Sequence, residues 1–280
     1  MKKQSILFTI ILCLWVILET YLTVVIPQYQ SIFYDGLATK NLELFYHGLY
    51  LLGFVYISFT FGLPGKAWLT SRISQAWRWN VTEKLLGRDI THITNVDGRI
   101  AEDIRIYTDI TVRVITEIII AVLCLVGLVG SLWADKQLFM YCLGYIVILM
   151  ILTKLFKKPM QGAKFNQQEA EQSYRAHLLL TNNDMDIDAS QIKSVTQASK
   201  RTFNVVFLFN MFYQVKNRIS LIIIPLLLLT PYFAGTITLG IVMSKLSLFN
   251  LVVENATIVT VFYPELIAAS ASYKRVKELM

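Results

Sequence analysis

Charge is scarce in this sequence. Asp, Glu, Lys and Arg make up 16% of its 280 residues, against about a quarter in ordinary soluble domains. With 55% hydrophobic residues, that composition excludes a disordered chain and argues against a cytosolic enzyme. Cysteine is nearly absent. Cys13, Cys124 and Cys142 all fall in apolar stretches and form no CxxC pattern, so neither a disulfide framework nor a metal site is expected. His47, His92 and His177 lie in different segments without a nucleophile motif, which leaves no catalytic residues to nominate. A phosphate loop is missing too. Gly65-Lys66 is followed by Ala67, and Thr60 stands where the motif needs its first glycine.

Long apolar runs are present instead. Ile6 to Ile26 contains one acid, Glu19, and no base; Leu44 to Leu63 has no charged residue. Val112 to Leu132 carries Arg113 and Glu117, and Leu138 to Phe156 carries Lys154. Ile219 to Tyr232 is uncharged but short and borrows from Phe203 to Arg218, while Ile237 to Phe262 is interrupted by Lys245 and Glu254. A membrane span needs about 20 mostly apolar residues. The chain therefore reads as an all-α polytopic membrane protein with six transmembrane helices. The first run is longer than a signal-peptide core and no small-x-small site follows, so it is expected to stay as an anchor.

Lys and Arg set the orientation. Of the 26, 23 fall on one side, ahead of the first span, after the sixth, or in the two long connections and the span ends beside them; Lys40, Lys136 and Lys245 are the rest. The positive-inside rule then places both termini in the cytoplasm, and the net charge of +7 follows from topology, with no nucleic acid implied. The outer connections are short, whereas Pro64 to Thr111 and Lys157 to Thr202 are long and helical in pattern. Structureless loops of that length are uncommon, so long cytoplasmic helical extensions are expected.

Certain residues suggest a family. The stretch from Asn95 to Ile104 (NVDGRIAEDI) resembles the N-x-D-x-R-I-x-E-D motif shared by peroxisomal fatty-acyl half-transporters and bacterial SbmA/BacA-type peptide transporters, matching at Asn95, Asp97, Arg99, Glu102 and Asp103. Pro225 to Gly240 (PLLLLTPYFAGTITLG) resembles that family's P-x5-P-x-[FY]-x-G-x-I-x-L-G stretch through Pro225, Pro231, Gly235 and Gly240. Ala268 to Leu279 is similar to the segment that leads into the ATPase domain in fused members, and Gln28 to Phe45 to the aromatic-rich first outer loop of the SbmA/BacA side. The resemblance implies an exporter-type ABC transmembrane domain over residues 1–280, without a nucleotide-binding domain or cofactor, working as a homodimer in the bacterial inner membrane. It also implies proton-driven import of peptides or peptide-like antibiotics. The alternative is a permease subunit whose ATPase is a separate chain. Thr181 to Asp188 keeps little of the acidic stretch to which the ATPase docks in fused members, a departure that favours a transporter working without one.

The same residues have a physical reading. Asn95, Asp97 and Gly98 are turn formers suited to the tip of an inner hairpin. Glu102, Arg105, Asp109, Arg113 and Glu117 recur at spacings of 3, 4, 4 and 4 on one helix face, expected to be solvated at its start. Pro225 and Pro231 are expected to kink or end the fifth span; Gly235 and Gly240 permit a tight turn and close contact. Ser247, Asn250, Glu254 and Thr257 form a polar stripe on the sixth span, either a hydrogen-bonded seam or a cavity wall. Acids at membrane depth are costly. Glu117, Glu254 and Glu19 are therefore the candidate proton-coupling groups, since glutamates lining the cavity couple uptake to protons in SbmA/BacA-type proteins.

Overall fold

A computed structural model describes residues 2–86, 102–180 and 189–277. Among them lie eight helices and no strand: α1 (Lys2–Ala38), α2 (Leu42–Leu86), α3 (Ile104–Trp133), α4 (Lys136–Leu180), α5 (Ala189–Phe233), α6 (Leu239–Ala256), α7 (Ile258–Val261) and α8 (Tyr263–Lys277). Six of them, α1 to α6, are long and apolar enough to cross a membrane. The protein is an all-α polytopic membrane protein. At 45 residues each, α2, α4 and α5 extend about 68 Å, more than twice the hydrocarbon thickness, so each continues well outside the apolar layer.

Short polar turns join α1 to α2, α3 to α4 and α5 to α6, and a side chain in each of these turns caps the next helix. Asn41 Oδ1 accepts from Leu44 N–H at 3.2 Å, Asp135 Oδ1 from Leu138 N–H at 3.1 Å, and Thr238 Oγ1 from Ile241 N–H at 3.3 Å. Side-chain acceptors there satisfy amides that the first helical turn leaves unpaired. Gly235, with φ of 73°, supplies the left-handed residue after α5.

Proline is accommodated inside these helices, and α2 forms the long extension expected of it. α5 continues through Pro225 and ends two residues past Pro231, and α2 runs unbroken through Pro64. Neighbouring helices let spans tolerate proline. The sixth span is shorter than its apolar run: α6 stops at Ala256, and the chain breaks at Thr257 (φ −102°, ψ 10°) and again at Phe262 (φ −85°, ψ 0°).

The chain forms two compact units. One comprises residues 1–146 and 220–280. Its core at the first hairpin is Leu22, Val25, Ile26 and Val55 with Tyr29, Phe59 and Leu251 around them; at the other end Val81, Leu85, Ile104 and Val276 pack with Trp77. Tyr107 links this second cluster across three helices, its ring 5.3 Å from Trp77 and 5.2 Å from Tyr273. The other unit, residues 147–219, pairs α4 with α5. Phe156 lies 5.7 Å from Phe209 and 5.3 Å from Phe212 between ring centroids, and Thr202 Oγ1 donates to Ala163 O at 3.0 Å.

A buried charge triad as candidate functional site

Lys66 is 8% exposed and holds two carboxylates: its Nζ lies 2.8 Å from Glu19 Oε1 and 2.9 Å from Glu117 Oε1. The three side chains come from α1, α2 and α3. Glu19 is as deeply placed as the lysine, at 7% exposed, and its second oxygen accepts from Trp15 Nε1 at 2.9 Å, one helical turn away. A Cβ on Gly62 would run into the Trp15 ring, so the glycine opens the space in which the indole orients Glu19. Glu117 is less enclosed, with 26% of its side chain exposed.

A helical rise of 1.5 Å per residue places the three groups roughly 25–36 Å along their helices from the turn-bearing end, about one hydrocarbon thickness. Their charges do not balance. Two carboxylates against one ammonium leave one negative charge in excess, and one added proton makes the cluster neutral.

The face of α3 that carries Glu117 is exposed at its start, as expected, and its members also reach neighbouring helices. Ser74 of α2 donates to Asp109, Arg113 pairs with Glu265 of α8, and Glu117 pairs with Lys66. Arg105 and Asp109, 4.0 Å apart and about half exposed, keep the character of a solvent-facing pair. The stripe thus becomes a polar seam joining α3 to α2 and α8.

Other sequence candidates fall elsewhere. Glu102 is exposed and Asp103 buried just ahead of α3. Asn95, Asp97 and Arg99 lie outside the described residues, as does the stretch from Thr181 to Asp188. On α6, Ser247 and Asn250 are half-buried and Glu254 is exposed, whereas Thr257 is buried with its hydroxyl donating to Val253 O at 2.7 Å. The structure brings Glu19 and Glu117 together and leaves Glu254 apart from them. Gly240 abuts α1: its N–H donates to Asp35 Oδ1 at 2.8 Å, and a Cβ there would meet the Ser31 carbonyl and the Asp35 carboxylate.

Lys66 and Trp15 were missed by sequence reasoning. Trp15 had a signal, an indole donor four residues before Glu19 on a helix. Lys66 had none, because it follows Pro64-Gly65 just beyond an apolar run and reads as a loop base.

At the turn-bearing end, Lys245 of α6 pairs with Asp135 at 2.5 Å, which accounts for a lysine in an otherwise apolar span. Cavities of about 570 and 430 Å³ border the pair, the first reaching Ser131 and Leu248, the second Tyr141 and Thr230. Burial pushes the Asp135 carboxyl up, but the Lys245 ammonium and the Leu138 N–H outweigh it and hold the group below its ordinary value of 3.8. A carboxyl lowered on folding adds stability above that ordinary value and loses it as pH falls through it. Asp135→Asn is therefore expected to lower the thermal midpoint at pH 7, with the gap to wild type closing below about pH 4. A gap that stays constant in a pH series of melts would refute this role for the ion pair.

Six apolar spans, tight turns at one end, helices that continue far beyond the bilayer and a charge cluster inside the packed spans define a membrane transport domain. The family model for ABC transporter transmembrane region 2 matches residues 1–184, and the chain belongs to that family. It is 23% identical over 276 residues to a Synechocystis protein described as an uncharacterized ABC transporter ATP-binding protein, sll0182, covering 85% of this chain and 40% of that one. It is also 23% identical over 325 residues to the inner membrane ABC transporter ATP-binding protein YddA of Escherichia coli, covering 99% of this chain and 57% of the relative. The chain thus spans about half the length of these curated relatives.

Proposed function

We propose that this chain forms the translocation pathway of a proton-driven transporter that imports peptides or peptide-like antibiotics across the bacterial inner membrane. The observation that carries the reading is the triad, with two glutamates on one lysine inside three packed spans. Such a cluster prefers neutrality in a medium that solvates charge poorly, so it would load one proton from water on the acidic outer side and release it to water on the inner side. Alternating exposure to the two sides would couple that cycle to the substrate. The substrate class rests on the resemblance of the Asn95–Ile104 and Pro225–Gly240 stretches to SbmA/BacA-type transporters. The orientation, with both termini cytoplasmic, rests on the 23 of 26 bases that share one side.

In this reading the working unit is a symmetric homodimer, since closed two-fold assemblies are the commonest and six helices alone enclose little space. Glu254, exposed on α6 near the half-buried Asn250 and Ser247, lies on the face that the second copy covers, with Thr257 closing the stripe. A second reading is favoured by one specific observation: both curated relatives are named ATP-binding proteins. In it the chain is the permease part of an ABC transporter powered by an ATPase.

Proteoliposomes with an imposed pH gradient and no ATP separate the two. Labelled peptide is expected to accumulate, and Glu117→Gln or Glu19→Gln to reduce the initial rate by about 100-fold, within the range that losing a proton-transfer group costs. Uptake that requires ATP and an ATPase, and is indifferent to the gradient, would establish the second reading instead.

A further inference from the structure

Arg113 lies one helical turn from Glu117 on the same face of α3, four residues apart, a spacing at which side chains meet. In the structure the two point their charges to different helices. Glu117 goes to Lys66 of α2, and Arg113 goes to Glu265 in the first turn of α8, with its guanidinium 5.8 Å from the Phe262 ring centroid. The far end of α8 is held independently, by the Tyr107–Tyr273 contact and the buried Val276. Its near end comes after the two helix breaks at Thr257 and Phe262, so no continuous helix precedes the first turn of α8.

Glu117 is the exchangeable carboxylate of the triad. Glu19 is buried with both oxygens engaged, by Lys66 and by Trp15, whereas Glu117 is the more exposed. The groups that face Glu117 are Glu19 from α1, Lys66 from α2, and Arg113 on α3 itself; Cys124 of α3 sits near Glu19 and Lys66, Asp109 lies one turn beyond Arg113, and Glu265 of α8 faces Arg113. When Glu117 is ionised, two carboxylates compete for one ammonium, and the arginine one turn away is the alternative partner. When Glu117 carries a proton, that competition ends.

We infer that Arg113 is a positioning residue that reports the protonation of Glu117 to the C-terminal helix: a proton on Glu117 leaves Arg113 on Glu265 and α8 docked, and its loss draws Arg113 toward Glu117 and frees the first turn of α8. The inference rests on the reading of the triad as a proton site, and it assigns that site an output on α8, reached through an arginine 152 residues from its partner Glu265.

Amide hydrogen exchange of the full chain in lipid nanodiscs tests it. With rates corrected for the intrinsic effect of pH, protection across Tyr263–Lys277 is expected to fall roughly threefold or more between about pH 5.5 and pH 8, while α1 and α2 stay unchanged. Glu117→Gln, which mimics the protonated side chain, should keep α8 protected at both pH values. Arg113→Gln should leave it unprotected at both, and Arg113→Lys should restore part of the pH dependence, which a purely structural contact would not do. A flat profile in the wild-type chain, or an unaltered one in Glu117→Gln, overturns the inference. Uptake measured on the same preparations separates the two ideas. A responsive α8 without proton-driven uptake would sink the transport reading alone, and proton-driven uptake with a silent α8 would sink this inference alone.

Discussion

Lys66→Met is expected to be the most damaging single substitution in the membrane-spanning part of the protein. It leaves Glu19 and Glu117 in a packed interior with no cation between them, and breaking a buried ion pair from one side costs about 3–5 kcal/mol. In a chain of this size that corresponds to a fall of roughly 10 °C in the thermal midpoint, readable from tryptophan fluorescence in detergent or nanodiscs. Lys40→Met, in the exposed turn before α2, is the matched control and should be nearly silent. Adding Glu19→Gln and Glu117→Gln to Lys66→Met should recover most of the loss, because a neutral hydrogen-bonded set can replace a buried charged one without large cost. If Lys66→Met melts with the control, or the neutralised triple variant is no better than the single one, the triad is not a buried electrostatic unit.

Gly240→Ala is expected to open the contact between α1 and α6. The added methyl would coincide with the Ser31 carbonyl and the Asp35 carboxylate, and neither can withdraw cheaply. One is main chain, and the other is the acceptor that caps the start of α6 through Gly240 N–H. Forced overpacking of this kind costs about 1–3 kcal/mol, and loss of the cap adds about 1 kcal/mol. Gly130→Ala on α3, where a Cβ meets nothing within 4 Å, provides the comparison and should be neutral or slightly stabilising. Equal midpoints for the two variants would show that the helices can part at Gly240 without penalty.

Much of this architecture was written plainly in the sequence. Runs such as Ile6 to Ile26 and Val112 to Leu132 exceed the needs of a soluble core, and they fix the number and order of the spans. Glu117 also stood out, because the apolar residues from Ile118 onward come immediately after it. The limits came where local chemistry gave way to tertiary packing. The helical extension of α2 past Pro64 was legible and continues for another twenty residues beyond Lys66, but no local pattern showed that Lys66 turns to Glu19 and Glu117. The charged face from Arg105 to Glu117 has the periodicity of a solvated surface. Its outer half is a seam only because Ser74, Lys66 and Glu265 approach it from 35 to 152 residues away, and no local pattern contains that. The α6 stripe ends at the helix break, where Thr257 satisfies its hydroxyl on the Val253 carbonyl, a break that the spacing did not announce.

The order in which the triad is assembled has a consequence for biogenesis. Glu19 and Lys66 belong to the first hairpin, which leaves the ribosome before α3 exists, and at 2.8 Å they cancel each other. A hairpin whose acid and base are already paired enters lipid at a lower cost than either helix carrying its charge alone. The excess negative charge arises only when α3 brings Glu117 to a lysine that is already engaged. The first hairpin can thus enter lipid with this pair balanced, and the excess carboxylate is a property of the finished fold.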